Sequence, residues 1–347
     1  MNEPHAVSLT RDGSDAMDAT ETQTTTTPAS SPDAGRPRRG RPVPELAGLV
    51  VVLVVLVVFF AVKSPYFMGA DNILNILTAI AVVGIIAVPG TMLLVAGQVD
   101  LSVGSGAAFC GVLLATQVDR IGLGGAVVLV LVAGLAIGAI NGALVNVINV
   151  NSLITTLGML AVLRGLTELM ADGQTAIISG FETLGTARPL GIPLPVVVFA
   201  VVVVIGVLLM RYSVFGRSLY AIGANPVAAR LVGIRTKWAL FTTFVLSGFA
   251  VAIAGLILTS QLSAASPVAA QGLELTVVTA VVLGGASLSG GRGTILGTLL
   301  GLVIIGVLNN GLTLLNINSF WQDVARGVLL ILAVSFDQLR QRLSPTN

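Results

Sequence analysis

The chain has 347 residues, 55% of them hydrophobic and only 10% charged, with mean hydropathy +0.97 and formal net charge +2. No soluble domain reaches that balance, and the basic residues are scattered through loops rather than interleaved with aromatics, which excludes a nucleic-acid-binding function. A single histidine, His5, and a single cysteine, Cys110, exclude Ser-His catalysis, a multi-histidine metal centre and an intrachain disulfide.

Residues 1–44 contain the run Thr24 to Thr27 and then a Pro-, Gly- and Arg-rich stretch from Ser30 to Pro44. Too little apolar surface is available there to offset the entropy of ordering, so the segment reads as a disordered tail. Arg36, Arg38, Arg39 and Arg41 precede the first apolar run, which places this tail in the cytoplasm. Apolar stretches of about 18–20 residues then recur, each able to cross about 30 Å of hydrocarbon as a helix. The short alternating segments of a transmembrane barrel are not found. The expected spans are 46–62, 73–96, 101–118, 123–147, 153–170, 194–210, 239–259, 273–289, 294–313 and 319–336. The fold class is therefore an all-α polytopic membrane protein with about ten transmembrane helices over residues 45–340. A cytoplasmic loop at 211–238 and a short tail at 341–347 complete the organisation. Of the 18 Lys and Arg residues, 13 fall on the inner side of this map, which supports both termini inside.

Gly134, Gly138 and Gly142 are spaced by four residues in the fourth span, and Gly293, Gly297 and Gly301 repeat that spacing before and within the ninth. Such rows let helix backbones approach closely. Asn149-Val-Asn-Ser and Asn316-Ile-Asn-Ser follow the two rows, and the matched segments run in opposite directions on the map, which suggests an inverted repeat. Gly97 to Gly106 also resembles Gly284 to Gly293 at five positions, but both lie on the inner side, so this match reads as similar turn chemistry.

Gly97-Gln-Val-Asp-Leu-Ser-Val-Gly-Ser-Gly106 lies between two long apolar runs, so Asp100 is a carboxylate at a span boundary. A charge at that depth costs a few kcal/mol or more without a partner or water. Polar, Gly-rich backbone is tolerated there only where protein buries it or where it lines a wet cavity. Gln98, Asp100 and Ser102 are candidates for the inner mouth or gate. Arg164 with Glu168, and Asp323 with Arg326, have spacings that permit pairing on one helix face. Glu274 opens the eighth span and is either a helix-dipole cap or part of the gate. Asn309 and Asn310, like Asn141 and Asn146, can hydrogen-bond a neutral polyol or tie helices together.

The most informative polar segment is Arg211 to Lys237. Asn225 suits an N-cap, Pro226 the first helical position, and Gly233 the left-handed residue past the end. These signals predict a helix of about seven residues, with Ala228 and Ala229 small enough for close approach to a partner. No Gly-x-x-x-x-Gly-Lys-Ser/Thr loop occurs, so the chain cannot hydrolyse ATP by that route.

Phe215-Gly-Arg-Ser-Leu-Tyr-Ala-Ile-Gly-Ala-Asn-Pro-Val-Ala-Ala-Arg-Leu-Val-Gly-Ile resembles the coupling loop of ABC importer permeases of the ribose/xylose/arabinose/galactose type. The resemblance runs from about residue 70 to 340. It is carried also by Gly97 to Ser105, Thr156-Leu-Gly-Met, Arg164-Gly-Leu, Asp172-Gly-Gln, Ala265-Ser-Pro, Gly272-Leu-Glu-Leu, Ala280 to Gly293 and Leu308-Asn-Asn-Gly-Leu, in shared order. Departures are Gln98 for Gly, Pro226 and Val227 where acidic residues are common, Ser152-Leu153 for Pro-Phe, and Thr276 for Asp.

The resemblance implies a permease subunit for a monosaccharide in a bacterial cytoplasmic membrane. The implied partners are a second permease subunit, cytosolic ATPases and an extracytoplasmic sugar-binding protein. ATP and Mg are then used by the ATPase, with no cofactor or metal on this chain. Asn225, Ala228, Ala229, Arg230 and Gly233 are the residues expected at the ATPase contact. The residues alone also leave open an ion-coupled secondary transporter, for which few mid-membrane carboxylates are available, and a membrane-embedded enzyme, for which no Asp-x-x-Asp cluster lies on an inner loop.

Overall fold

The computed structural model describes residues 43–343, with side chains described for 47–335. Of the expected tails at 1–44 and 341–347, residues 1–42 and 344–347 lie outside the described residues, while 43–44 begin the first helix and 341–343 end the last. The described chain is almost entirely helical. In order the elements are α1 (Val43–Lys63), α2 (Ala70–Val95), α3 (Val103–Asn146), α4 (Ser152–Ala171), β1 (Ala176–Ile177), α5 (Thr183–Thr186), α6 (Leu194–Tyr212), α7 (Val214–Ala224), α8 (Pro226–Leu231), α9 (Thr236–Leu262), β2 (Ala264–Ala265), α10 (Leu273–Leu283), α11 (Ile295–Leu314) and α12 (Ser319–Leu343). Six of them, α2, α3, α4, α6, α9 and α11, are long and apolar enough to cross a membrane.

Local chemistry sets many of these boundaries. Asn151, Ser213 and Thr294 each cap the following helix with a side-chain oxygen that accepts from Leu153, Gly216 and Gly297 N–H respectively. At the other end, Asp172 and Ser263 close α4 and α9 in the left-handed region, at φ 47° and 50°.

α3 has 44 residues, about 66 Å if straight and twice a bilayer core. It is not straight: Gly122 interrupts it at φ 74°, ψ 163°, between the two runs expected as separate spans. Both halves lie against α9 through glycines. In the first half, Gly106 faces Val251, Ala107 faces Gly255 and Gly111 faces Thr259, so the two helices run in the same direction. In the second half, Gly134 meets Gly248 and Ala252, Gly138 meets Phe244, and Gly142 meets Phe241, so the direction is reversed. The two halves therefore form a helical hairpin around α9. The row Gly134, Gly138, Gly142 is a packing surface, and so are Gly297 and Gly301 on α11, which receive the backbone of Gly284 and Ala280.

α2 lies at the centre, packed by α6, α9, α10 and α11. Its side chains Ile85, Ile86 and Leu93 are fully buried, and Thr91 Oγ1 hydrogen-bonds Thr298 Oγ1 of α11 at 2.8 Å. At the periphery the pattern inverts. Val51, Val55, Val58 and Val62 of α1 are exposed, as apolar side chains facing lipid would be.

Two expectations change. The run 273–289 forms a helix only over Leu273–Leu283, because Gly284 and Gly285 end it, with Gly285 at φ 90°. Eleven residues rise only about 16 Å, half a bilayer core. Arg164 does not pair with Glu168; its Nη1 donates to the carbonyl of Pro267. The segment before α10 folds back over the C-terminal half of α4 and offers that acceptor. Asp323 and Arg326 do pair, at 3.3 Å. The two-residue strands β1 and β2, antiparallel with Ala176 opposite Ala265, carry no periodic signal long enough to be read beforehand.

Candidate functional site

The Gly97–Ser102 connector is not helical; it starts at an exposed glycine and buries Asp100 and Ser102 at its far end. Gly97 ends α2 at φ 73°, its N–H donating to Leu94 O and that of Gln98 to Leu93 O. Gly285 ends α10 with the same pattern, its N–H donating to Val282 O and that of Ala286 to Val281 O. This is a Schellman closure in both places. The similarity between the two Gly-rich stretches is thus one of turn chemistry, with the capping glycines offset by one position.

Asp100 is 9% exposed, and its carboxylate is held by hydroxyls and backbone rather than by a cation. Oδ1 accepts from Ser102 N at 3.0 Å and Ser102 Oγ at 2.6 Å, while Oδ2 accepts from Ser247 Oγ of α9 at 2.8 Å. Asn141 Nδ2, in the second half of α3, donates to Ser102 Oγ at 3.0 Å. Four buried side chains from the connector, α3 and α9 thereby close one knot, and Asn141 Oδ1 remains without a partner. Charge-assisted hydrogen bonds of this kind are what a buried carboxylate requires when no cation is near. Ser247 carried no signal in the sequence, since it is one hydroxyl in an apolar span and only the helix crossing brings it to Asp100.

Glu274 lies in the first turn of α10, and its Oε2 is buried without a hydrogen-bond partner. It packs against Gly104, where a Cβ would collide with that oxygen. The first turns of α10 and α3 therefore meet, and both present N-terminal dipoles that favour the carboxylate.

Asn309 and Asn310 lie near the end of α11, beside a cavity of about 290 Å³ that Asn75, Thr276 and Thr313 also line. Asn310 and Asn72 exchange amide hydrogen bonds at 2.8 and 2.9 Å, tying α11 to α2. Asn309 Oδ1 is buried without a hydrogen-bond partner. Gln98 lies elsewhere, on the wall of a larger cavity of about 400 Å³ beside α8.

The segment α7–α8 follows its sequence signals closely. Asn225 Oδ1 accepts from Val227 and Ala228 N–H, both at 3.0 Å. Pro226 opens the helix, and Gly233 follows it at φ 85°. Ala229 is 3% exposed and turned into the protein, in one apolar cluster with Leu219, Ile222 and Ala239. Ala228 and Arg230 face outward. Val227, already noted as a departure from the family pattern, is 63% exposed, and Leu231 and Val232, which the sequence did not single out, are exposed by 83% and 77%. α7 is bolted inward at two points. Tyr220 OH donates to Gly293 O at 2.7 Å, and burial raises its phenol pKa, so it stays a donor at neutral pH. A Cβ on Gly223 would collide with Val95 O at the end of α2 and with Gly291 N. Gly291 N–H in turn donates to Val95 O at 2.8 Å. α7 is thus in direct backbone contact with the end of α2 and with the Gly290–Gly291 turn that precedes α11.

A lipid-facing helical bundle with interior polar knots, paired cavities and a projecting surface helix defines a multi-pass membrane permease. A family model described as "branched-chain amino acid transport system / permease component" matches residues 72–334, and the chain belongs to that family. It is 38% identical over 295 residues to the ribose import permease protein RbsC of Haemophilus influenzae, covering 83% of this chain and 91% of that protein. The L-arabinose ABC transporter permease protein AraH of Azospirillum brasilense is 39% identical over 302 residues, with 85% and 88% covered. RbsC of Bacillus subtilis is 40% identical over 294 residues, with 82% and 90% covered. No solved structure matches the chain.

Proposed function

We propose that this chain is the transmembrane permease subunit of an ATP-binding-cassette importer for a monosaccharide. The observation that carries the reading is α7–α8. It exposes an apolar, carboxylate-free face at Val227, Leu231 and Val232, while Tyr220 and Gly223 tie its back to the end of α2 and to the loop between α10 and α11. A push on α8 reaches the connector of Asp100 through backbone contacts rather than through a flexible loop. The motor is then a separate cytosolic ATPase that uses ATP and Mg and docks on Asn225, Ala228, Arg230 and Gly233, with Ala229 seating the helix on its own bundle. A second permease subunit and an extracytoplasmic sugar-binding protein complete the assembly. The sugar as cargo is supported by relatives named for ribose and L-arabinose.

The path is assigned to the cavity of Asn309 and Asn310 on the outer side and to the knot of Asp100 and Ser102 as the inner gate. Glu274 lies between them at the meeting of two helix starts. Ten passages with both termini cytoplasmic fit the distribution of Lys and Arg. They also fit the hairpin in α3, provided the short α10 is one half of a discontinuous passage whose irregular backbone is buried in protein.

The test is reconstitution with the cognate ATPase and binding protein in vesicles. Uptake requires ATP, and the double substitution Arg230→Ala with Gly233→Leu lowers uptake at least tenfold while ATP hydrolysis continues. Equal uptake without nucleotide, or unchanged coupling in the double variant, refutes the reading.

A further inference from the structure

The cavity beside α8 shares Arg230 with the proposed ATPase contact, but the rest of its wall is absorbed neither by docking nor by the path. It measures about 400 Å³ and lies between the end of α2, the connection from α3 to α4, α8 and the first turn of α9. Pockets for small molecules begin at about 300 Å³. Arg230 and Lys237 stand on its wall with Gln98, Asn146, Asn149 and Ser152, and no acidic side chain lines it. Neither cation forms an ion pair with a described residue. The imbalance is regional. No Asp or Glu occurs between Glu182 and Glu274, a stretch that contributes α6, α7, α8 and α9. The nearest connector carboxylate, Asp100, is turned away and engaged by Ser102 and Ser247.

Two cations, one guanidinium able to grip oxyanions in pairs and one ammonium, thus share a concave space with neutral amides and a hydroxyl. The amides are not fully used. Asn146 Nδ2 donates to Gly142 O, but its Oδ1 is not engaged, and Gln98 makes no side-chain hydrogen bond. Two exposed cations with no acidic side chain on the same wall favour an anionic guest. The neutral amides and hydroxyl suit the hydroxyls of a small polyol attached to it.

We propose that this cavity is a binding site for a phosphate monoester, gripped by Arg230 and Lys237 and lined by Gln98, Asn146, Asn149 and Ser152. That the cavity opens to the cytosol, and that the ester is a sugar phosphate, rest on the reading of the chain as an importer; the phosphate grip itself does not. Phosphoryl transfer to an imported sugar is the class of reaction that yields such a monoester on that side of the membrane. A guest held there joins α8 to α9 and to the α2–α3 connector, so it restrains the helix on which the motor is proposed to push.

The experiment uses the full chain in nanodiscs of phosphatidylcholine, without ATPase, so it is independent of transport. Thermal unfolding is followed with inorganic phosphate, ribose 5-phosphate, ribose, and chloride at matched ionic strength. The expected result is a saturable rise in melting midpoint with phosphate and a larger one with ribose 5-phosphate, with none for ribose or chloride. Arg230→Gln and Lys237→Gln each weaken the apparent affinity at least tenfold while leaving the ligand-free midpoint in place, and Arg217→Gln, off the cavity, does not change it. No response in the natural chain, or the same response in the Gln variants, overturns the proposal. Nanodiscs containing phosphatidylglycerol separate the sources of phosphate. Undiminished ribose 5-phosphate binding there supports a soluble guest. Loss of that binding in the natural chain means that a lipid headgroup fills the site and overturns the soluble monoester.

Discussion

Asp100 shows how far one residue depends on its neighbours. The sequence marked it as a carboxylate at costly depth, and the structure supplies three hydrogen bonds from Ser102 and Ser247 in place of a cation. Ser247→Ala removes the sole donor to Oδ2 among the described residues, leaving a buried charged oxygen undersatisfied. The expected loss is about 1–3 kcal/mol, read as a lowered melting midpoint in detergent. Ser102→Ala removes a hydroxyl that also accepts from Asn141, so the combined loss with Ser247→Ala should differ from the sum of the two, as it does for groups in one network. Equal stability of the natural chain and Ser247→Ala would mean that the knot does not hold α9 to the connector.

Among elements, the contact of α3 with α9 is the most extensive. A Cβ on Gly248 would overlap Gly134 O and leave only 2.7 Å to Gly138 N. Gly248→Val must therefore push α9 off the second half of α3, and it is expected to cost at least about 1–3 kcal/mol as an overpacked site. Gly158, in α4, has nothing within 4 Å of its Cβ position. Gly158→Ala should then be neutral or stabilising by about 0.5–1 kcal/mol, since it only removes unfolded-state freedom. Melting midpoints of the two variants side by side check the assignment of helix-contact and lipid-facing glycines. Both residues are glycine in an apolar run, so composition does not separate them. The distinction arises only where two helices cross.

For the whole molecule, the decisive prediction concerns orientation. Cys110 is buried, so it does not react with a bulky impermeant thiol reagent. Arg120→Cys, in the turn of the α3 hairpin, should be labelled in intact cells, whereas Arg217→Cys on α7 should be labelled only after permeabilisation. The opposite pattern would invert the map and place α8 on the outer side, where no ATPase could reach it. Within the correct map, Leu231→Asp places a charge in the centre of the exposed face of α8. It should weaken co-purification of the ATPase at least tenfold while the permease still inserts.

Much of this was legible beforehand because it is local. The ends of most long helices, the break near Gly122 and the Asn225, Pro226 and Gly233 punctuation of α8 follow from hydropathy runs and cap chemistry within a few residues. A short stretch of chain contains all the atoms that decide such features. The half-length of α10 was misread because apolar composition continues past Gly284 and Gly285, and hydropathy does not register a helix that ends in a buried turn. The partner of Arg164 was misread for a related reason: helix spacing proposed Glu168, but a carbonyl from a segment a hundred residues away lay closer. Sequence alone therefore determined that this is a lipid-embedded helical permease. Only tertiary structure decided that Ser247 reaches Asp100, that Glu274 meets Gly104, and that Arg230 and Lys237 share a cavity without an acidic wall. Those contacts join residues far apart in the chain, and their energy exists only once the helices have packed.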